Sequence, residues 1–243
     1  MAASPMTLVS LSTYEAVHEV LRPLGDTLAG RTLVNLTSGS PVCATETAAW
    51  AECSGAAYLD GAVLTTPSGI GNRDFLQLYS GSSAAFESHH ETLAVLGSPV
   101  YVGADAALSS VYDTALLCQM WATLTGWLHS VALISADRPG GNVTATQYTE
   151  VANRWMDTLR FFMTTYAPQI ESGQYPNGGL PLTLHHMTTA ILAHASELRG
   201  VGSGLPELFK ALVEQGITAG HGNDSYARLI EFMQQDGDNV KRS

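Results

Sequence analysis

The sequence predicts an α/β part followed by an all-α part. Three observations support this fold class. Short apolar runs alternate with helical patterns up to residue 102, and no strand pattern appears after that point. Residues 114–134 then contain no Asp, Glu, Lys or Arg, which is typical of a helix that is buried on several sides. We therefore expect a partial parallel sheet, one long interdomain helix and a helical C-terminal domain.

The α/β part contains five apolar runs of strand length. Capping signals open the helices between them, as at Ser40-Pro41, where a cap residue precedes a proline suited to a first helical turn. Repeated βα units of this length imply a parallel sheet with right-handed crossovers. The predicted strands cover residues 6–11, 31–36, 58–64, 75–80 and 99–102.

The helical part begins after Gly103-Ala104-Asp105. One mostly apolar helix is predicted from Leu108 to about Ser135, and Thr144 with Gln147 forms a capping box for the next. Further helices are predicted over residues 144–166, 182–199, 206–219 and 225–235. This division predicts two domains, residues 1–103 and residues 104–243.

Composition excludes several classes of partner. The 243 residues have a net charge of −11 and no basic block, which argues against nucleic acid or an anionic membrane. Three cysteines without CxxC spacing indicate neither a disulfide framework nor a cysteine metal site, and a cytoplasmic location fits best. Only 14% of residues are charged, so we expect part of the apolar surface to be covered by another subunit.

The phosphate-binding turn of a dinucleotide fold is missing. That fold places a GxGxxG turn after its first strand, and no such motif occurs in these 243 residues. The βα units that are present look like the second half of a Rossmann-like sheet. In the usual strand order its fourth strand pairs with the first, so residues 6–11 are expected to form an open edge.

Several short segments share a further pattern, in order along the chain. They are Leu33-Val34-Asn35-Leu36-Thr37-Ser38-Gly39, Tyr58-Leu59-Asp60-Gly61-Ala62, Tyr79-Ser80-Gly81, Tyr101-Val102-Gly103, Val111-Tyr112-Asp113, His221-Gly222 and Asp224-Ser225-Tyr226. Together they resemble the imine reductases and reductive aminases, relatives of 6-phosphogluconate dehydrogenase in the β-hydroxyacid dehydrogenase superfamily. The resemblance implies an NADPH-dependent oxidoreductase that is a homodimer with exchanged helical domains. Because the resemblance starts within the nucleotide-binding domain, we expect this chain to be an N-terminally truncated version of such an enzyme.

The acid position of that family falls on Asp113. The residues themselves favour a role there. Asp113 shares one helix face with Leu117, Met120 and Trp121, so its carboxyl group lies on a face that is otherwise apolar. A carboxyl group on such a face is desolvated, which raises its pKa and lets it hold a proton near neutral pH. The alternative is a buried aspartate that caps a turn or pairs with an arginine.

The resemblance also implies where cofactor and substrate bind. Ser10, Asn35, Thr37 and Ser38 follow the first two predicted strands, and ligands of open α/β sheets bind at that carboxyl edge. Ordinary turn and cap chemistry explains the same residues. No metal site is expected, because the histidines lack a carboxylate in a ligand pattern. The expected substrate pocket consists of Leu117, Met120, Trp121, Trp155, Phe162 and His185.

The function predicted from these observations is reduction of a C=N or C=O bond of a small-molecule substrate. NADPH would deliver hydride and Asp113 would donate the proton, in a pathway that family analogy places in secondary metabolism. Because the phosphate-binding half of the nucleotide site is missing, two alternatives stay open. The chain would be a cofactor-free cyclase or isomerase that uses the helical pocket, or a non-catalytic binding protein.

Overall fold

A computed structural model of the chain describes residues 4–136 and 142–234. The chain divides into two compact units, Met1–Trp121 and Ala122–Ser243. The boundary between them falls inside the long helix α4, Leu108–Ser135, whose extent agrees with the sequence prediction. None of the helices in residues 4–136 and 142–234 has the combination of length and hydropathy that a membrane span needs.

The first unit alternates strands and helices as predicted. Each of its three short helices opens on a side chain that accepts a hydrogen bond from the first turn, namely Thr13, Ser40 and Ser82. The elements in order are β1 (Met6–Val9), α1 (Tyr14–Leu21), β2 (Thr32–Asn35), α2 (Pro41–Cys53), β3 (Ala57–Val63), β4 (Leu76–Gly81), α3 (Ser83–Leu93), β5 (Ser98–Gly103) and the start of α4.

The five strands form one sheet in the order β1-β2-β3-β4-β5. Among the described residues, strand β1 pairs with β2 alone and is an edge of the sheet, as predicted. The expectation of an all-parallel sheet is wrong at one place, because β4 runs antiparallel to β3. The connection between these strands holds only the short 3-10 turn Pro67–Gly69, whereas a parallel crossover usually needs a full helix.

Apolar side chains cover both faces of the sheet. One cluster packs Val17 and Leu21 of α1 with Leu33 of β2. The other packs Leu93 of α3 against Leu59 and Tyr79. The sheet is therefore the middle layer of a three-layer unit, and its interior side chains are held rigidly.

The second unit contains the remainder of α4 and the helices α5 (Ala145–Ser172), α6 (Leu182–Leu198) and α7 (Gly204–Gly216). A π-turn, Ile217–His221, and a 3-10 turn, Tyr226–Leu229, follow α7. Helix α5 therefore extends past the predicted end at residue 166. The final predicted helix opens as a 3-10 turn, and its last residue, 235, lies outside the described residues. Leu182, Val213 and Leu229 form the buried centre of this unit.

Candidate active site

A row of buried polar side chains crosses the sheet of the first unit. The strand register pairs Asn35 of β2 with Asp60 of β3, and Asp60 with Ser80 of β4. Residues paired in register point to the same face of a sheet. All three are almost fully buried, with relative exposures of 0%, 1% and 0%. Buried polar groups need hydrogen-bond partners, and this row has them.

Four hydroxyl groups donate to the Asp60 carboxylate. Tyr14 and Tyr58 donate to Oδ1 at 2.7 and 2.8 Å. Ser109 and Ser110, on the first turn of α4, donate to Oδ2 at 2.6 and 3.0 Å. Four donors fill the accepting positions of a carboxylate, which is the arrangement suited to its ionised form.

The neighbours of Asp60 in the row extend this network. Asn35 Nδ2 donates to the Tyr58 hydroxyl at 3.2 Å, and Asn35 Oδ1 accepts from the Thr37 amide at 3.1 Å. The hydroxyl of Ser80 accepts from the Ser109 amide at 2.9 Å and donates to the Ala106 carbonyl at 2.8 Å. The start of α4 is thus bound to two adjacent strands.

The electrostatics of this network follow from its burial. Burial raises the pKa of Asp60, while the hydrogen bonds from Ser109, Tyr14, Tyr58 and Ser110 oppose that rise. Burial, followed by the charge of Asp60, also raises the pKa of both Tyr14 and Tyr58, so the two phenols stay protonated as donors.

The glycine of the segment after β2 allows Tyr14 to take part. A β-carbon at Gly39 would overlap the ring of Tyr14, so a larger residue would push this ring away from Asp60. This contact gives a physical reason for glycine in the Thr37-Ser38-Gly39 segment.

Asp113 lies one helical turn after the two serines that bind Asp60. It is four residues beyond Ser109 and three beyond Ser110, which places the three on one side of α4. Its side chain is partly buried. Burial raises the pKa of Asp113, and the negative charge of Asp60 raises it further. A carboxyl group in this condition favours its protonated form and can act as an acid.

The four candidate cofactor residues fall into two pairs. Asn35 and Thr37 are buried, and the Thr37 hydroxyl accepts from the Leu11 amide at 3.0 Å, which joins the ends of β1 and β2. Ser10 and Ser38 are exposed beside them. The exposed pair can touch a ligand directly, whereas the buried pair holds the shape of the edge.

The candidate pocket residues on α4 are largely exposed in this chain. Leu117, Met120 and Trp121 have relative exposures of 43%, 40% and 63%. Single exposed apolar side chains are common on protein surfaces, whereas several on one helix face form a patch, so this face is a candidate contact surface.

The other three pocket candidates lie in the second unit and have different surroundings there. Trp155 lines an apolar groove of about 750 Å³ formed by α4, α5, α6 and α7, together with Trp127 and Phe209. Phe162 stacks on Tyr166 at 5.8 Å between ring centroids, outside that groove. His185 meets Tyr226 edge-on at 5.0 Å, and burial lowers the pKa of His185.

Metal and disulfide chemistry has no counterpart in the described part of the chain. Among residues 4–136 and 142–234, no group of three or more His, Cys, Asp or Glu side chains is arranged to hold a metal ion. Cys43, Cys53 and Cys118 are free thiols.

Comparison with known proteins identifies the family of this chain. Residues 105–235 match the family described as NADPH-dependent reductive aminase-like, C-terminal domain. An NADPH-dependent reductive aminase from Aspergillus oryzae (strain ATCC 42149 / RIB 40) is 33% identical over 233 residues, which cover 96% of this chain and 79% of that protein. The chain belongs to the reductive aminase family.

Solved structures of reductive aminases and imine reductases have the same fold. An imine reductase from Bacillus cereus is 32% identical with a TM-score of 0.84, covering 96% of this chain and 80% of the other. An imine reductase from Aspergillus terreus in complex with NADPH4 and dibenz[c,e]azepine is 32% identical with a TM-score of 0.86, covering 95% and 79%. Enzymes of the reductive aminase family are oxidoreductases, so the chain is placed in that class.

One prominent buried residue of this chain was not assigned a role from the sequence. Asp60 lies within the segment Tyr58-Leu59-Asp60-Gly61-Ala62, which was used only as a family marker. A carboxylate in the middle of a buried strand is itself a signal, because an unpaired buried charge is costly. Its partners Tyr14, Ser109 and Ser110 are 46 to 50 residues away in sequence and became visible only in the fold.

Proposed function

We propose that this chain is an NADPH-dependent imine reductase in which Asp113 donates the proton to the substrate nitrogen or carbonyl oxygen. The observation that carries the proposal is the environment of Asp113, a partly buried carboxyl group whose pKa is raised by burial and by Asp60. A raised pKa lets the carboxyl group hold its proton to a higher pH than an ordinary aspartate does. The exposed apolar side chains that follow Asp113 on α4 supply a surface for the carbon skeleton of a substrate.

The sheet edge fits the nicotinamide end of NADPH. Ser10 and Ser38 are exposed where two parallel strands end, which is where nucleotides bind in such sheets. Thr37 and Asn35 fix the backbone between these two hydroxyl groups. When bound there, NADPH supplies a hydride. The residues that would hold its diphosphate are not identified within this sequence, which contains no GxGxxG turn.

We assign residues 1–103 to cofactor binding and residues 104–243 to substrate binding and dimerisation. In this proposal Leu117, Met120 and Trp121 line the substrate pocket with Trp155, Phe162 and His185, and two copies exchange their helical parts to complete it. The support is the exposure of large apolar side chains along α4 and α5, including Trp121 at 63% and Trp155 at 56%.

The physiological setting is proposed from the chemistry of the chain and from analogy with the family. Three free thiols and a nicotinamide cofactor suit the cytoplasm. Relatives in complex with cyclohexanone and allyl amine, or with dibenz[c,e]azepine, indicate that small ketones, amines and cyclic imines are suitable test substrates. We place the reaction in secondary metabolism.

The test is turnover of dibenz[c,e]azepine by the purified protein, followed through NADPH consumption. We expect reduction by the unmodified chain and a loss of about 100-fold or more in kcat for Asp113→Ala, since a positioned general acid contributes on that order. NADPH affinity, measured by fluorescence titration, should be unchanged in this variant.

The matched control is Asp74→Asn, which removes an exposed carboxylate beside the start of β4. This variant should retain full activity. Equal turnover by the unmodified chain and by Asp113→Ala would remove Asp113 from the mechanism. Absence of both NADPH binding and imine reduction by the unmodified chain would overturn the proposed reaction and favour the cofactor-free alternative.

A further inference from the structure

The carboxylate of Asp60 is held at the start of the helix that carries Asp113. Its Oδ2 atom accepts from two consecutive serines on the first turn of α4, and its Oδ1 atom accepts from two tyrosines outside that helix. One residue therefore joins α1, β3 and α4 at a point one helical turn before Asp113.

The donors around Asp60 are all neutral. Within the described residues, the hydrogen bonds that reach its carboxylate come from hydroxyl groups and none comes from a lysine or arginine. Hydroxyl groups stabilise the negative charge without cancelling it, so its field reaches neighbouring groups. The start of α4 adds a favourable partial positive charge, which is the usual preference for an anion at a helix N-terminus.

We propose that Asp60 is a positioning residue for Asp113: it fixes the first turn of α4 and holds a negative charge one helical turn before the Asp113 carboxyl. This inference rests on the proposed function, in which Asp113 is the proton donor. It assigns to the buried carboxylate a role that goes beyond stabilising the fold.

The positioning part of the inference follows from helix geometry. Ser109 makes three contacts that fix its place, since its hydroxyl donates to Asp60, its amide donates to Ser80 and the Ser80 hydroxyl is 3.0 Å from its own. Because Asp113 follows on the same side one turn later, any rotation of the first turn moves its carboxyl group. Displacements of about 1 Å in an active site can reduce turnover by roughly 100-fold.

The electrostatic part has a definite sign. Asp60 of β3 is the charged group that acts on Asp113, and Tyr14 of α1 and Tyr58 of β3 face Asp60 as protonated donors. Repulsion between two carboxylates disfavours the ionised form of Asp113. Neutralising Asp60 must therefore lower the pKa of Asp113, so that Asp113 loses its proton at a lower pH.

The experiment measures Asp113 directly. The carboxyl carbons of uniformly ¹³C-labelled full chain are titrated by NMR, and the Asp113 signal is assigned from its absence in Asp113→Asn. In Asp60→Asn, which keeps the side-chain shape, we expect the Asp113 titration and the alkaline limb of the kcat profile to move together to lower pH. Asp74→Asn is the matched control for loss of one carboxylate and should move neither.

A second variant separates position from charge. Ser109→Ala combined with Ser110→Ala keeps the carboxylate but removes its hold on α4, and we expect kcat to fall about 10-fold or more with little change in KM. If Asp60→Asn is unstable, the same NMR titration is made on Ser110→Ala, which removes one donor but keeps the Asp60 charge. We expect no movement of the Asp113 titration to lower pH in this variant, and such a movement would contradict the electrostatic part of the inference.

The outcomes distinguish this inference from the proposed function. An unchanged Asp113 titration in Asp60→Asn, or an unchanged kcat in the double serine variant, would overturn the positioning role even in an active enzyme. Full activity of Asp113→Ala would instead reject Asp113 as the acid, and the titration would still report whether the two carboxylates interact.

Discussion

The first turn of α4 buries polar side chains, whereas the later turns of the same helix expose apolar ones. Ser109 and Ser110, two polar residues at its start, are buried with relative exposures of 0% and 6%. Leu117, Trp121 and Leu128, three large apolar residues further along, are exposed by 43%, 63% and 59%. In an ordinary surface helix the apolar residues would be the buried ones.

The difference shows two separate uses of one helix. The serines are buried because Asp60 and Ser80 satisfy their hydroxyl and amide groups, so the start of α4 is anchored by hydrogen bonds. The later turns offer apolar surface that a substrate or a second subunit can cover. We therefore expect substitutions in the first turn to lower the stability of the fold, and substitutions in the later turns to weaken association between subunits.

The largest loss of stability is expected when the hydrogen bonds at the start of α4 are removed. Asp60→Ala leaves four hydroxyl groups without their common acceptor, and we expect the free energy of unfolding to fall by about 3 kcal/mol, measured by urea denaturation. Asp113→Ala is the matched comparison. Because the folded chain disfavours the ionised form of Asp113, its removal should be neutral or stabilising above the raised pKa. Equal losses in the two variants would erase the distinction between the two carboxylates.

Along the exposed turns of α4 we expect a smaller effect, which concerns subunit association and not the stability of the fold. Leu128→Glu places a charge on the apolar surface of α4, and we expect the dimer dissociation constant, measured by analytical ultracentrifugation, to rise about 10-fold or more. The unfolding free energy of the separate chain should change little. Val95→Glu, at a residue that is 70% exposed just after α3, is the control and should leave association intact. A monomeric unmodified chain would contradict the proposed dimer.

Element order could be predicted from the sequence because apolar periodicity and capping signals are local. The five strands and the length of α4 followed from them. The direction of β4 could not be obtained in the same way, since alternation is identical in parallel and antiparallel strands. The loop of residues 65–73 was the available signal, because it lacks a helix that could carry a parallel crossover.

The site was less accessible to sequence reasoning than the fold. Asp113 was identified from its helix face and from the resemblance, and its role stays a prediction. The network around Asp60 depends on side chains brought together across three elements, and no local pattern reports such contacts. Aromatic residues at helical spacing can belong to a core or to a pocket. The sequence therefore could not predict that Trp155, Phe162 and His185 have different surroundings in the fold.

The pH dependence of imine reduction tests Asp113 most directly. In the unmodified chain kcat should fall as pH rises through the raised pKa of Asp113, because the deprotonated carboxylate has no proton to donate. In Asp113→Asn the rate should be low and free of that fall across the same range. An identical alkaline limb in the two proteins would show that another group supplies the proton.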